Sequence, residues 1–366
     1  TRRTAPGRAN SDDEENRMRP ICRCFKLVRH GEPMAEFNEP LRELAAGEVL
    51  VRIRAAGVCH SDVMLYDGFV DSGTGRKIDL SRGVAAPRVL GHEIAGEVAE
   101  LGAGVSGVKV GDRVVVYPWI GCGKCKFCTT DREPLCTAPK NLGIHHDGGF
   151  SQYVFVPDAR YLVPAGDLPF EQAAPYACSG LTAFGALKKL VPMHPTDSLL
   201  IVGAGGVGLS GIRFARHVLG IAPIVAEPDQ AKWPLAMEAG AVQCIDSRDP
   251  ATLGPLMKST GGGVSAVVDF VGTGDSFAFA FNALAKGGKM VSVGLIGGST
   301  PITPALIVFK TVSIQGSMVG TLGELQELLA IARDGKLPPL PTTTMPLDAA
   351  NDAIARLHAG KLPGRA

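Results

Sequence analysis

Four cysteines crowd into Gly121–Cys136, GCGKCKFCTTDREPLC: Cys122, Cys125 and Cys128 form a CxxCxxC run, and Cys136 follows after seven residues. Four thiolates at this spacing suit a tetrahedral structural zinc with no open position. The same run can hold an iron–sulfur cluster, and cysteines elsewhere pair as disulfides. Structural zinc is the preferred reading, with Lys124 and Lys126 partly offsetting its negative charge. Two more residues of metal-binding type stand upstream, Cys59 in GVCHSD and His92 in GHEIAGEV. Each alone reads equally as a small core residue or a satisfied polar group. A helical HExxH site is excluded, because its second histidine would fall on Gly96.

A second kind of chemistry is written in Leu200–Gly208, LIVGAGGVG, an apolar run ending in Gly203, Gly205, Gly206, Val207 and Gly208. A strand, a glycine turn and a helix in that order bind a dinucleotide pyrophosphate. Gly203 permits the tight turn, Gly205 lets the backbone approach the phosphates, and Gly208 lets helix and strand pack closely. The helix N-terminus adds free N–H groups and a positive dipole end. A further apolar run ends at Glu227, about 20 residues past the turn, where an acid meets the adenine ribose hydroxyls. An acid there favours NAD over NADP, whose 2′-phosphate it would repel.

The elements that must position these residues change character along the chain. Residues 1–17 are polar and charged and read as a disordered tail, with Met18 a more natural start. ICRCFKLV reads as a first strand whose Cys22 and Cys24 share one packed face. Short β-rich runs broken by glycine follow, the pattern of a small irregular barrel. From about Ala173 onward, strands and helices alternate, as in a parallel α/β sheet. A chain of 366 residues suffices for two cores, and its net charge of +1 gives no electrostatic case for nucleic acid or an acidic membrane. Nine cysteines, an odd count with several at metal-like spacings, point to a reducing, cytoplasmic setting.

Taken together, these motifs resemble the zinc-dependent medium-chain alcohol dehydrogenase family, in the same order from about Met18 to the C-terminus. The most specific stretch holds Gly91, His92, Glu93, Gly96, Gly102 and Val105. The resemblance implies a GroES-like catalytic domain over 18–172 and 311–366 and a doubly wound Rossmann domain over 173–310. It implies a catalytic zinc on Cys59, His92 and Cys178, with a fourth position open to substrate. Glu93 matches an alternative ligand or a partner of the ligands, and Asp62 a group that orients His92. Ser61 matches the hydroxyl that relays the substrate proton, His60 a pyrophosphate neighbour, and Trp119 a pocket wall. Cofactor contacts are implied for Thr182, Asp269 to Gly272, Val293 to Leu295, Ser317 to Val319, and Arg365 at the pyrophosphate.

The activity implied is reversible oxidation of a primary or secondary alcohol. Two zincs per chain, NAD, and a homodimer or homotetramer go with it. Zinc acidifies the hydroxyl, Ser61 takes the proton, and hydride passes to the nicotinamide. Two features depart from many relatives. Met64 stands where they carry a histidine that hands the proton to solvent, so the exit runs through the ribose or through His60. A long insert occupies Asp67–Ala86, either roofing the pocket or lying on the surface. Rival readings are a polyol or sugar dehydrogenase, often with a carboxylate in place of Cys178, a non-catalytic zinc module, and a zinc-free relative.

Overall fold

In a computed structural model of the chain, the described residues are 19–362 and 364–366, so the expected tail lies outside them. The β-rich part closes around a five-stranded antiparallel sheet. Its order is Leu162–Pro164, Arg113–Val116, Glu93–Leu101, Val49–Gly57 and Tyr153–Val156. A three-stranded sheet beside it centres on Ile21–Leu27, where Cys22 and Cys24 are both buried. Their alternation along the strand puts them on one face, as the pattern required.

The second part is a six-stranded parallel sheet in the order Gln243–Ile245, Ile224–Ala226, Leu199–Val202, Val264–Asp269, Leu284–Ser292 and Ser313–Gly316. Leu199–Val202 is buried along its whole length, as a parallel strand covered on both faces should be. The chain winds outward in both directions from this strand. The crevice between it and Val264–Asp269 is therefore a topological switch point, where doubly wound sheets bind ligands.

The domain boundary expected at 310 needs correction. Ile314 pairs with Met290 and Gln315 with Val291, so Ser313–Gly316 completes the parallel sheet. The apolar edge of Leu284–Ser292 is thereby covered. The chain then returns towards the barrel through two helices. Leu322–Arg333 starts at a capping box in which Thr321 and Glu324 satisfy each other's backbone N–H groups. It buries Leu325, Leu328, Leu329 and Ala332, the i, i+3, i+4, i+7 stripe of an amphipathic helix. Each of those leucines, fully buried, contributes about 1.5–3 kcal/mol. The last helix, Ala350–His358, packs against His60–Asp67 in the catalytic part.

Candidate catalytic and metal sites

The strand Val49–Gly57 ends just before Cys59, which caps the helix His60–Asp67. Asp62, in the first turn of that helix, is fully buried. One carboxylate oxygen accepts from the Cys59 N–H at 2.8 Å. The other accepts from the Gly91 N–H at 3.1 Å and from His92 Nδ1 at 3.0 Å. One side chain thus ties together the two segments that present Cys59 and His92. With Nδ1 committed to Asp62, Nε2 is the nitrogen left for a further partner, and it is buried without a hydrogen-bond partner. A buried polar atom left unpaired is costly. Its surroundings explain it: the Sγ atoms of Cys59 and Cys178 and a His92 ring nitrogen all lie within 4.8 Å of one another.

The two sulfurs are 3.9 Å apart. A disulfide needs about 2.05 Å, whereas two ligands of a tetrahedral zinc with Zn–S near 2.3 Å stand about 3.8 Å apart. The three residues therefore fit a zinc ion with a fourth position free. The hydrogen bond from the Cys178 thiol holds Cys59 well below the ordinary thiol range, against the effect of burial and with help from the Arg365 guanidinium. Trp119 also serves this cluster. Its Nε1 donates to the Ala177 carbonyl at 3.0 Å, next to Cys178, and its ring packs 5.2 Å from that of His92.

Glu93, expected as an alternative ligand or as a partner of the ligands, stands outside the three-residue cluster. Its carboxylate accepts from the Ser179 N–H at 2.9 Å and from Arg365, with Nε at 2.7 Å from Oε2 and Nη2 on Oε1. Arg365, expected at the pyrophosphate, is buried in this ion pair, because a buried guanidinium requires a carboxylate partner. Its Nη1 nevertheless lies 3.2 Å from where a Cβ on Gly206 would stand. Arg365 therefore reaches from the metal ligands to the glycine turn. Ser61 is half-buried and His60 exposed on the same first helical turn. The protein around His60 lowers its pKa, and Arg365 lowers it further against the opposing charge of Cys59. The imidazole is thus mainly neutral at pH 7 and able to accept a proton.

The glycine turn has the geometry its residues predict. Gly203 stands at φ 94°, a left-handed conformation. A Cβ on Gly208 would overlap the Gly203 carbonyl oxygen. Gly208→Ala is therefore expected to push the helix Gly206–Leu219 off its strand, lowering Tm by several degrees and weakening dinucleotide binding, as melting curves and titration will show. Gly205 caps this helix, is exposed, and has nothing within 4 Å of its Cβ position. The turn thus presents open backbone to a phosphate. Glu227 sits at the base of the turn, accepting from the N–H groups of Ala204 at 2.8 Å and Asp229 at 3.0 Å.

Of the remaining residues expected at the cofactor, Asp269 ends the strand Val264–Asp269. Its carboxylate is buried and accepts from the Val271 and Gly272 N–H groups and the Ser276 hydroxyl, bonds that hold the following loop. Val293 N–H bonds back to the Asp269 carbonyl at 2.9 Å, and Leu295 is exposed. Thr182 lies on the helix Ser179–Lys188, with its N–H on the Cys178 carbonyl at 2.7 Å. Ser317 and Val319 are buried beyond the last parallel strand. The insert Asp67–Ala86 contains a hairpin, Phe69–Asp71 with Lys77–Asp79. It crosses to the other domain, where Gly298 N–H donates to the Asp71 carbonyl at 3.3 Å and Ser299 Oγ to the Gly73 carbonyl at 2.8 Å.

In the four-cysteine lobe, measured sulfur separations are 3.5 Å for Cys125–Cys128, 3.8 Å for Cys125–Cys136 and 4.0 Å for Cys122–Cys128. These match the edges of a tetrahedral thiolate site. Backbone N–H groups of Lys124 and Cys125 pull Cys122 down to about 6, so thiolate is available at neutral pH. Glu133, buried beside Cys128, pairs with Arg160 at 2.9 Å and fixes the lobe to the barrel.

Comparison with known proteins agrees with this geometry. The family described as alcohol dehydrogenase GroES-like domain matches residues 45–167, and zinc-binding dehydrogenase matches 206–334. An NAD-dependent alcohol dehydrogenase of Sulfolobus acidocaldarius is 36% identical, the match covering 93% of this chain and 97% of that one. The crystal structure of the alcohol dehydrogenase of Aeropyrum pernix superposes with a TM-score of 0.85 at 29% identity, covering 94% of this chain and 98% of that one. The crystal structure of AibC also gives 0.85, at 31% identity and 98% coverage of both chains. The chain belongs to the zinc-dependent medium-chain alcohol dehydrogenase family.

Proposed function

We propose that this protein is a zinc-dependent alcohol dehydrogenase that oxidises a primary or secondary alcohol with NAD and reduces the aldehyde or ketone in reverse. The observation that supports it most is the buried, unpartnered Nε2 of His92 in a cluster with two buried sulfurs, beside an Arg365 that bonds Glu93 and reaches the glycine turn. When bound, zinc supplies a Lewis acid that acidifies the alcohol, and NAD supplies the carbon that takes the hydride. Asp62 holds His92 in the tautomer whose Nε2 can ligate. Ser61 takes the substrate proton, and neutral His60 passes it to solvent in place of the histidine that Met64 replaces. Trp119 closes the wall behind His92 and keeps the site dry.

The four-cysteine lobe holds a second, structural zinc. The chain works as a homodimer or homotetramer in the cytoplasm, where nine free cysteines stay reduced. Among the described residues no helix is long and apolar enough to cross a membrane.

The test is a panel of primary, secondary and aromatic alcohols with NAD and with NADP, read by absorbance of the reduced nicotinamide. Turnover of at least one class with a preference for NAD is expected; no turnover with any of them defeats the proposal. Glu227→Ala should reduce the preference for NAD over NADP about tenfold, since one charge-assisted hydrogen bond and one repulsion are lost together. An unchanged ratio would remove Glu227 from cofactor selection.

A further inference from the structure

Tyr117 follows the strand Arg113–Val116 and is fully buried. Its hydroxyl donates to the Gly320 carbonyl at 2.9 Å, across 203 residues of chain. The ring stacks on Tyr161 with centroids 6.2 Å apart and planes 12° from parallel. Arg160 in turn donates to the Tyr161 hydroxyl at 2.6 Å and to Glu133. The phenol is therefore held from beneath and cannot tilt away from Gly320.

The carbonyl it grips belongs to the residue after Val319. Val319 stands at φ 45°, a left-handed conformation in which a β-branched side chain is strained. Such strain persists only where the surroundings over-determine the backbone, and it gathers at functional sites. Here the surroundings are visible. A Cβ on Gly185 would stand 3.1 Å from the Val319 carbonyl, and one on Gly320 would stand 2.6 Å from Leu181. Glu324 accepts from the Thr321 N–H at 2.8 Å and fixes the far side. Tyr117 supplies the one side-chain hydrogen bond seen at the Gly320 carbonyl among the described residues.

We propose that Tyr117 is a positioning residue for the cofactor. By anchoring Gly320 it keeps Val319 in its left-handed conformation, and with it the segment Ser317 to Val319 for which the family resemblance implies cofactor contacts. This rests on the dehydrogenase reading above. The same extended segment then sets both halves of the site, since Trp119, two residues on, packs against His92.

The test uses Tyr117→Phe, Val319→Gly and the double variant, with the affinity for NADH measured by fluorescence titration and kcat, KM and zinc content alongside. Tyr117→Phe should weaken NADH binding about tenfold, because the strained backbone relaxes once released. The KM for alcohol and the zinc content should not move. Glycine adopts the left-handed conformation freely, so in the Val319→Gly background the same Tyr→Phe change should cost less than about twofold. A merely structural role predicts equal losses in both backgrounds, and that result overturns the proposal, as does unchanged affinity in Tyr117→Phe. Should Tyr117→Phe alone fail to fold, the double variant is expected to fold with the NADH affinity of Val319→Gly, and its failure overturns the proposal too. Intact protein unable to bind NADH at all would sink the dehydrogenase reading along with it, whereas equal losses sink only the role of Tyr117.

Discussion

His92→Ala is expected to leave one zinc per chain where two are proposed for the intact protein, and to cut kcat/KM for alcohol oxidation by at least about a hundredfold. The size follows from a comparison. Loss of a residue that merely orients a metal ligand costs about 10–100-fold, and His92 is proposed as the ligand itself. It contributes the one nitrogen donor beside two sulfurs, and nothing else among the described residues can take its place: Glu93, the nearest carboxylate in sequence, is locked to Arg365 and the Ser179 N–H. Removing the ring also leaves Asp62 with one fewer donor, so melting curves should accompany the metal analysis. Two zincs retained with activity within tenfold of the intact protein would show that Nε2 is not a ligand.

Cys128→Ala has a large effect of a different kind. Cys128 is the most deeply buried sulfur of its lobe, and burial pushes its thiol up to about 12. Only a cation at the centre makes the thiolate favourable there. Structural zinc sites hold their metal with about 10–16 kcal/mol at neutral pH, and that energy is folding energy. Losing even a quarter of it lowers Tm by roughly 3–5 °C. The remaining zinc and most of the low-temperature activity should survive, because the lobe supplies no ligand to the other cluster. An unchanged Tm, read by calorimetry, would show that the lobe folds without metal.

How far the sequence predicts such sites depends on how local they are. The turn at Gly203–Gly208 and the four cysteines span short stretches whose spacing alone defines a geometry, and both appear as read. Asp62 came from the family resemblance and not from spacing, since the His92 ring it bonds lies 30 residues further on. The ion pair between Glu93 and Arg365 was not legible. Their pairing spans 272 residues, and no periodicity encodes which buried charge meets which. The three local donors that meet the Asp269 carboxylate were not legible either. Tyr117 gave no signal at all. A tyrosine in an apolar strand is an ordinary core residue until the carbonyl beyond Val319 is seen above it.

The insert between Asp67 and Ala86 is gripped by residues 297–299, just beyond Leu295. Any swing of the two halves away from each other must slip this strap or drag that loop along. The tether so couples the gape of the cleft to the segment lying next to Val293 and Leu295. A chain shortened there gains an opening path that the intact one lacks.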